Sequence, residues 1–173
     1  MNIFQKSVLN KYLKVQDEKK VQAAFEKLKL YQNNKEHIKG YKEEVFQDGF
    51  LKEIFVDVLG YKLNTIDKDN YNLIREKKNE SNSKKADGAI LKDGEVFAVI
   101  ELKDTSTKDL AKVEEQAFRY LRGHSNCKYV IISNFDKLNL YINKNEVDKV
   151  EFNLFTATLE EFKTIYLCLQ ADN

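Results

Sequence analysis

The chain contains 173 residues, of which 42% are hydrophobic and 33% are charged, and its net charge at pH 7 is +1. This balance is typical of one soluble globular domain with a core large enough to fold without disulfide or metal support. No apolar stretch approaches the ~20 residues of a membrane span and the N-terminus lacks a signal-peptide core, so we expect a cytoplasmic protein without a membrane partner.

The first third of the chain is rich in lysine and glutamate and predicts three helices. Residues 2–15 and 17–32 carry apolar side chains on one face, at helical spacing. Residues 36–59 predict a longer helix that ends at Gly60. The apolar positions expected to face the core in the second and third helices are Val21, Ala24, Phe25, Leu28, Tyr31, Val45, Phe50, Leu51, Ile54, Phe55, Val58 and Leu59.

The remainder of the chain alternates between strand and helix patterns. The predicted strands lie at 71–76, 86–103 (a hairpin), 128–135, 138–142 and 151–155, and the predicted helices lie at 107–122 and 158–170. Elements in this order form a mixed α/β sheet flanked by helices. We therefore expect an N-terminal helical extension at residues 1–35 and a single compact α/β core at residues 36–173.

The most informative strand carries charged residues where burial should exclude them. Residues 96–102 (VFAVIEL) are apolar almost throughout, which indicates a strand covered on both faces, yet Glu101 lies inside this run. Lys103 follows two residues later on the same face. A buried carboxylate beside a buried ammonium costs several kcal/mol per ion unless something compensates. A divalent metal is the compensation that we expect.

The register of the hairpin decides whether Asp87 joins Glu101. A two-residue loop at Asp93-Gly94 with regular pairing would place Asp87 opposite Ile100, on the other face from Glu101. A three-residue loop, 92–94, with Gly94 left-handed in a bulge, would pair Leu91 with Glu95 and Asp87 with Val99. Glu101 then becomes the diagonal neighbour of Asp87, about 7–8 Å away at the backbone. We predict the three-residue loop.

These residues resemble a known nuclease signature. Asp87, fourteen residues, and then Glu101-Leu102-Lys103 resemble the PD-(D/E)XK motif, with Ala86 where its variable proline stands. The flanking segments LGY, EEQAFRYLRG and YVIISNF appear in an order similar to that of the N-terminal nuclease domain of type IIG restriction-modification enzymes. The order is more distantly similar to that of type I restriction subunits. The resemblance covers residues 36–170.

The resemblance implies a restriction-endonuclease-like fold and a metal-dependent reaction. Asp87, Glu101 and the backbone carbonyl of Leu102 would bind Mg²⁺, for which Mn²⁺ substitutes, because hard oxygen ligands select these ions. Lys103 would hold the attacking water or stabilise charge in the transition state. An ordinary Glu–Lys ion pair at a strand end is the structural alternative.

Two helices supply further candidates for the site. Gln116 and Tyr120 are four residues apart, so they share a helix face, and similar nucleases direct this pair at the metal site and a nearby phosphate. Simple packing explains Tyr120 equally well. Related domains also carry a catalytic Glu on the first long helix, which indicates Glu44, although Glu43 fits by spacing alone and a charged helix face explains both.

Contacts with DNA are expected from two basic segments. The candidate DNA-binding residues are Lys84, Lys85, Arg119 and Tyr120. A solvated loop and a solvated helix face explain the charged members equally well. A net charge of +1 is low for a protein that holds DNA alone, so other domains are expected to supply most of the affinity.

The function expected from these observations is that of a Mg²⁺-dependent DNA endonuclease domain, the cleavage module of a bacterial type IIG-like enzyme. Its expected partners are double-stranded DNA, methyltransferase and target-recognition domains in the same chain or another, and a transient second copy for double-strand cleavage. A repair or junction-resolving nuclease of the same fold is an alternative. A degenerate nuclease fold that serves only in DNA binding or assembly is another.

Overall fold

The computed structural model describes residues 4–78, 85–142 and 149–172. Its helices are α1 (Lys6–Lys14), α2 (Glu18–Asn33), α3 (Lys35–Lys39), α4 (Glu43–Phe50), a π-helical segment (Leu51–Val58), α5 (Ala111–Arg122) and α6 (Leu159–Leu169). Its strands are β1 (Leu73–Lys78), β2 (Lys85–Lys92), β3 (Glu95–Leu102), β4 (Tyr129–Ser133), β5 (Lys137–Ile142) and β6 (Lys149–Asn153). Among the described residues, no helix is both long enough and apolar enough to cross a membrane.

The six strands form one mixed sheet in the order β1-β2-β3-β4-β5-β6. Only the β3–β4 pair is parallel, and α5 makes the connection between these two strands. Parallel neighbours need such a crossover, whereas the remaining pairs are antiparallel. The predicted mixed sheet with flanking helices is confirmed.

Each face of the sheet has its own apolar core. On one face, residues of α2, α4, the π-helical segment and α6 pack with strand residues such as Ile100 and Ile131. On the other face, α5 packs against side chains that include Val99 and Val130. Because both faces are covered, the central strands read as nearly continuous apolar runs.

The predicted long helix at residues 36–59 is interrupted. Helix α3 ends before Gly40, and α4 begins three residues later and continues as the π-helical segment. Glycine lowers helix propensity by about 1 kcal/mol relative to alanine, which favours a break at this point. The predicted end at Gly60 is confirmed, since this glycine has a φ of +86°.

The inward face of α4 differs from the prediction by one residue. Val45 is 63% exposed, whereas Phe46 is buried. Phe46 and Phe50 are four residues apart and therefore share the face that packs on the core, and Val45 lies about 100° away from it around the helix. The expectation that Val45 faces inward was wrong.

The N-terminal helices contribute to the core that supports α4. Tyr31 of α2 is buried, and its hydroxyl donates a 2.7 Å hydrogen bond to the carbonyl of Phe135. Its ring centroid lies 6.4 Å from that of Phe46 and 6.3 Å from that of Phe50. Phe135 has a positive φ of 74°, an uncommon conformation for a bulky residue. Tyr31 therefore holds a strained turn against α4.

The β2–β3 hairpin differs from the predicted one in a way that bears on the site. The turn has two residues, Asp93 and Gly94, with φ values of +52° and +81°, and Lys92 pairs with Glu95. Positive φ at both central residues is the mark of a type I′ turn, which matches the twist of the flanking strands. The predicted three-residue loop, with Leu91 opposite Glu95, was wrong, although Gly94 is left-handed as expected.

A bulge in β3 brings the two acidic residues into line. Leu91 pairs with Val96 but Ile90 pairs with Ala98, so Phe97 is an extra residue in β3. Beyond the bulge, Gly88 pairs with Ile100, and continuing this register by one residue sets Asp87 opposite Glu101. The predicted pairing of Asp87 with Val99 was wrong, because Ala89 pairs with Val99. Opposite residues share a face, so the two carboxylates still lie side by side.

Candidate nuclease site

Glu101 lies at the end of β3 in a closed polar environment. The residue is 2% exposed. Its Oε1 accepts a 3.0 Å hydrogen bond from Lys103 Nζ and a 2.7 Å hydrogen bond from Gln116 Nε2. Its Oε2 is buried and has no hydrogen-bond partner. Oε1 of this carboxylate therefore has two hydrogen-bond donors, whereas Oε2 has none and could bind a ligand.

Asp87 is half-buried and accepts hydrogen bonds from two different elements, β3 and α4. Its Oδ2 accepts a 2.7 Å hydrogen bond from the backbone amide of Leu102. Its Oδ1 accepts a 3.2 Å hydrogen bond from Gln47 Nε2 on α4. These bonds hold the Asp87 carboxylate at the end of β3, so the backbone of Leu102 lies at the site.

The first turn of α4 completes the acidic side of the site. Gln47 Nε2 also donates a 3.2 Å hydrogen bond to Glu43 Oε1, and Lys103 Nζ lies 3.4 Å from Glu43 Oε2. The structure thus brings Glu43 to the cluster and not Glu44, which is exposed. Adjacent helical residues point about 100° apart, so only one of the two can face the site.

Burial and like charge raise the proton affinity of both acidic groups. Burial raises the pKa of Glu101 to about 7, and the nearby Asp87 carboxylate adds to this rise, while Lys103 opposes it. Burial likewise raises the pKa of Asp87, which the Leu102 amide and Lys103 partly offset. Burial alone lowers the pKa of the Lys103 ammonium, but Glu101, Glu43 and Asp87 outweigh it and raise this pKa. Lys103 therefore stays charged, and the two carboxylates repel each other.

Helix α5 brings Gln116 and Tyr120 to the same place. Gln116 Nε2, which bonds Glu101, lies 3.3 Å from the hydroxyl oxygen of Tyr120. Tyr120 is buried in the core beneath α5, whereas Gln116 is exposed. Tyr120 thus combines a packing role with a hydroxyl group at the site.

The chain also matches a model of a known protein family. The model describes the N terminus of the type I restriction enzyme R protein, and it matches residues 42–156, which is more than half of the chain. The chain belongs to this family. The match confirms the predicted restriction-enzyme relationship, and it does so through the type I subunits, which the sequence indicated as the more distant relatives. The matched region contains every residue of the cluster described above.

Among solved structures, that of the type IIG restriction endonuclease BpuSI is similar to this chain. The alignment has a TM-score of 0.47 and 18% sequence identity, and it covers 75% of this chain and 16% of that one. A search of curated proteins found no match. The assignment of the fold therefore rests on the sheet and helices of this chain itself, which are consistent with the predicted PD-(D/E)XK-like arrangement.

The oxygen donors of the R-protein domain fit a hard divalent cation. Among residues 4–78, 85–142 and 149–172, no group of three or more His, Cys, Asp or Glu side chains is placed to hold a metal. Mg²⁺, however, keeps several waters and needs only one or two carboxylates. Asp87 and Glu101 supply two, and the buried Oε2 of Glu101 lacks any other partner. A cation would also favour the charged form of both carboxylates and so offset the burial that raises their pKa values.

The basic residues predicted to contact DNA are less closely connected to the cluster. Lys85 is exposed at the start of β2, and Lys84 lies outside the described residues. Arg119 is on the solvent side of α5 and pairs with Glu115 at 2.5 Å. Solvent-exposed pairs of this kind are weak, so Arg119 can exchange this partner for another anion at little cost.

Two residues of the site were missed or left open by the sequence. Gln47 was not predicted, and Glu43 was only an alternative to Glu44. Glu43 and Gln47 are four residues apart, as are Gln116 and Tyr120, and each pair shares one helix face. The four-residue spacing was therefore a usable signal for Gln47 once Glu43 had been preferred.

Proposed function

We propose that this domain is a Mg²⁺-dependent DNA endonuclease, the cleavage module of a restriction-modification enzyme, and that it leaves 5′-phosphate and 3′-hydroxyl ends. One observation carries the proposal: Asp87 and Lys103 lie beside Glu101, whose buried Oε2 has no hydrogen-bond partner. Membership in the type I restriction R-protein family supports a nuclease role.

Asp87, Glu101 and the backbone carbonyl of Leu102 would hold the ion. When bound, Mg²⁺ supplies Lewis-acid polarisation of the phosphate and lowers the pKa of a coordinated water. Glu101 is assigned as a ligand because its buried Oε2 has no hydrogen-bond partner.

Lys103 acts on the reacting phosphate. Its pKa is raised by the surrounding carboxylates, so it remains an ammonium group and donates hydrogen bonds instead of accepting a proton. Held between Glu101 and Glu43, it can orient the attacking water and stabilise negative charge that develops on the phosphate. Glu43, which is partly exposed and lies beside Lys103, would accept a proton from a water on that side.

Gln116 and Gln47 hold the carboxylates in position. Gln116 binds the Oε1 of Glu101 and leaves the buried Oε2 without a partner. Gln47 donates to both Glu43 and Asp87, which reduces the repulsion between these two groups. Gln47 therefore holds together two carboxylates that would otherwise move apart, and Gln116 fixes the position of a third.

Double-stranded DNA is the proposed substrate, and further domains are the proposed source of affinity. The net charge of +1 gives little counterion release on binding. Lys84, Lys85, Arg119 and the Tyr120 hydroxyl are the proposed contacts to the backbone near the cut. Methyltransferase and target-recognition domains would supply sequence choice, and a transient second copy would cut the other strand.

A plasmid-nicking assay tests the proposal. Supercoiled DNA incubated with the domain and Mg²⁺ or Mn²⁺ should become nicked, and Glu101→Gln or Lys103→Met should slow nicking by about 10²–10³-fold, as expected for a lost transition-state contact. Glu95→Gln and Lys92→Met, at the turn end of the same hairpin, are matched controls that should nick at the normal rate. Equal nicking by Glu101→Gln and the wild type would refute the assignment.

A further inference from the structure

A second polar network lies on the opposite side of α5 from the catalytic cluster. Tyr141 of β5 is 1% exposed, and its hydroxyl donates a 2.6 Å hydrogen bond to Glu114 Oε1 on α5. Lys149 Nζ lies 3.3 Å from the same oxygen. Nothing in the proposed reaction uses these three residues.

The direction of the Tyr141 hydroxyl is set by a buried amide. Asn139 is 2% exposed, and its Nδ2 donates to the Tyr141 oxygen at 3.3 Å. A hydroxyl that accepts from Asn139 must send its single proton elsewhere, and Glu114 is the acceptor. Burial and the hydrogen bond to Glu114 also raise the pKa of Tyr141, so the donor proton stays in place. The bond to Glu114 is thus directional.

Helix α5 is hydrogen-bonded to the strands on both sides of β4. Glu114 and Gln116 are two residues apart, which separates their side chains by about 200° around the helix axis. Gln116 reaches Glu101 on β3, and Glu114 reaches Tyr141 on β5, with β4 between them. Hydrogen bonds on opposite sides of the helix axis add to the packing of its apolar face and limit rotation further, because each bond weakens steeply away from its preferred geometry.

We propose that Tyr141 is a positioning residue for catalysis: through Glu114 it sets the rotation of α5 that holds Gln116 against Glu101. This inference rests on the proposed nuclease function. Losing the hydroxyl lets α5 turn, and Gln116 then leaves the Oε1 of Glu101. Misplacement of a catalytic group by about 1 Å can slow a reaction by roughly 10²-fold.

The test compares two phenylalanine variants. Tyr141→Phe keeps the ring that packs edge-on to Phe118 at 5.4 Å and removes only the hydroxyl. Tyr61→Phe is the matched control, since the Tyr61 hydroxyl is also buried and donates a 2.8 Å hydrogen bond, but to Leu169 of α6. We expect Tyr141→Phe to slow nicking by roughly 10- to 100-fold at saturating DNA and Mg²⁺, and Tyr61→Phe to leave the rate unchanged.

A second measurement does not depend on activity. The side-chain amide resonances of Gln116, assigned by their loss in Gln116→Ala, should shift in Tyr141→Phe and stay in place in Tyr61→Phe. In the Gln116→Ala background, Tyr141→Phe should slow nicking by less than about twofold, because the group that it positions is absent. Glu114→Ala breaks the same bond from the helix side and should reproduce the shift. Glu114→Gln keeps an acceptor, so the Gln116 resonances should stay at their wild-type positions.

The outcomes separate this inference from the nuclease proposal. The positioning role would be overturned if the Gln116 resonances did not move in either Tyr141→Phe or Glu114→Ala. It would also be overturned if the double variant Tyr141→Phe/Gln116→Ala lost rate by the product of the two single losses. An equal loss of rate in Tyr61→Phe would also overturn it, because the effect would then follow from stability alone. If the wild type does not nick DNA, the nuclease proposal fails, and the resonances still decide whether Tyr141 positions Gln116.

Discussion

Lys103 Nζ donates a 3.0 Å hydrogen bond to Oε1 of Glu101, while the other oxygen of that buried carboxylate has no partner. An ion pair in which one member is 97% buried would ordinarily be completed by further hydrogen bonds, because an unsatisfied buried polar atom costs about 1–3 kcal/mol. The metal-free site therefore carries a destabilising feature that a bound cation would remove. The first two predictions follow from this.

The stability of the metal-free protein should fall with rising pH because of Glu101. Burial and Asp87 raise the pKa of Glu101 from 4.5 to about 7, so the folded protein holds this proton more tightly than the unfolded chain does. The corresponding stability is complete below pH 4.5 and is lost as the pH rises through 7, by roughly 1–3 kcal/mol in total. Glu101→Gln should lack this change, and urea unfolding at pH 5 and pH 8 measures it. If the free energies of unfolding of Glu101→Gln and the wild type differed by the same amount at both pH values, the raised pKa of Glu101 would be contradicted.

Magnesium should stabilise the wild-type protein through the same carboxylates. At a free concentration about 100 times its Kd, a ligand that binds only the folded state adds about 2.7 kcal/mol to the free energy of unfolding. Asp87→Asn should reduce the Mg²⁺ affinity measured by calorimetry and abolish the stabilisation. Asp48→Asn, which removes an exposed carboxylate paired with Arg75, is the control that should bind Mg²⁺ normally. Normal Mg²⁺ affinity in Asp87→Asn would exclude this residue as a ligand.

Gln47 should stabilise the metal-free site. Its amide donates to both Glu43 and Asp87, so Gln47→Ala leaves two partly buried carboxylates with fewer donors and should lower the free energy of unfolding by about 1–2 kcal/mol. Gln22→Ala is the control, since exposed Gln22 also donates to a glutamate four residues away and should change stability by less than about 0.5 kcal/mol. Chemical unfolding of both variants decides the matter, and equal effects would show that Gln47 has no special role.

The hairpin turn should depend on the left-handed conformation of Gly94. Its φ is +81° and a Cβ there would meet no atom within 4 Å, so Gly94→Ala tests backbone conformation without a steric clash. We expect a loss of about 1–2 kcal/mol in the free energy of unfolding. Gly40→Ala, at a φ of −86°, should be neutral or stabilising by about 0.4–1 kcal/mol. If Gly94→Ala proved as stable as the wild type, the positive φ assigned to this position would be wrong.

Local patterns were sufficient to predict most of the fold. The order of strands and helices follows from apolar periodicity and from glycine positions, which depend on neighbours a few residues away in the chain. The same holds for the charged residue inside the apolar β3 run and the lysine directly after it, which identified Glu101 and Lys103 before any contact was known. The long helix at 36–59 was misjudged where its pattern was weakest, at the break near Gly40.

The candidate site depended on contacts that local patterns do not contain. The sequence predicted that Asp87 and Glu101 share a face, but it reached this result through the wrong loop. The structure obtains the alignment from a two-residue turn followed by a bulge at Phe97. A bulge is set by how two strands pack against the rest of the sheet, and both registers are compatible with the same turn residues.

The amino-acid sequence by itself determined the elements, the restriction-enzyme relationship and the acidic and basic residues of β2 and β3, because these are encoded by residue type and short-range spacing. Only the tertiary structure decided that Glu43 and not Glu44 faces Lys103, that Gln47 bridges two carboxylates, and that Tyr141 bonds α5 from the far side. Each of these depends on the rotation of a helix about its own axis. That rotation is set by contacts between residues 27 to 60 positions apart in the chain, and a local pattern does not determine it.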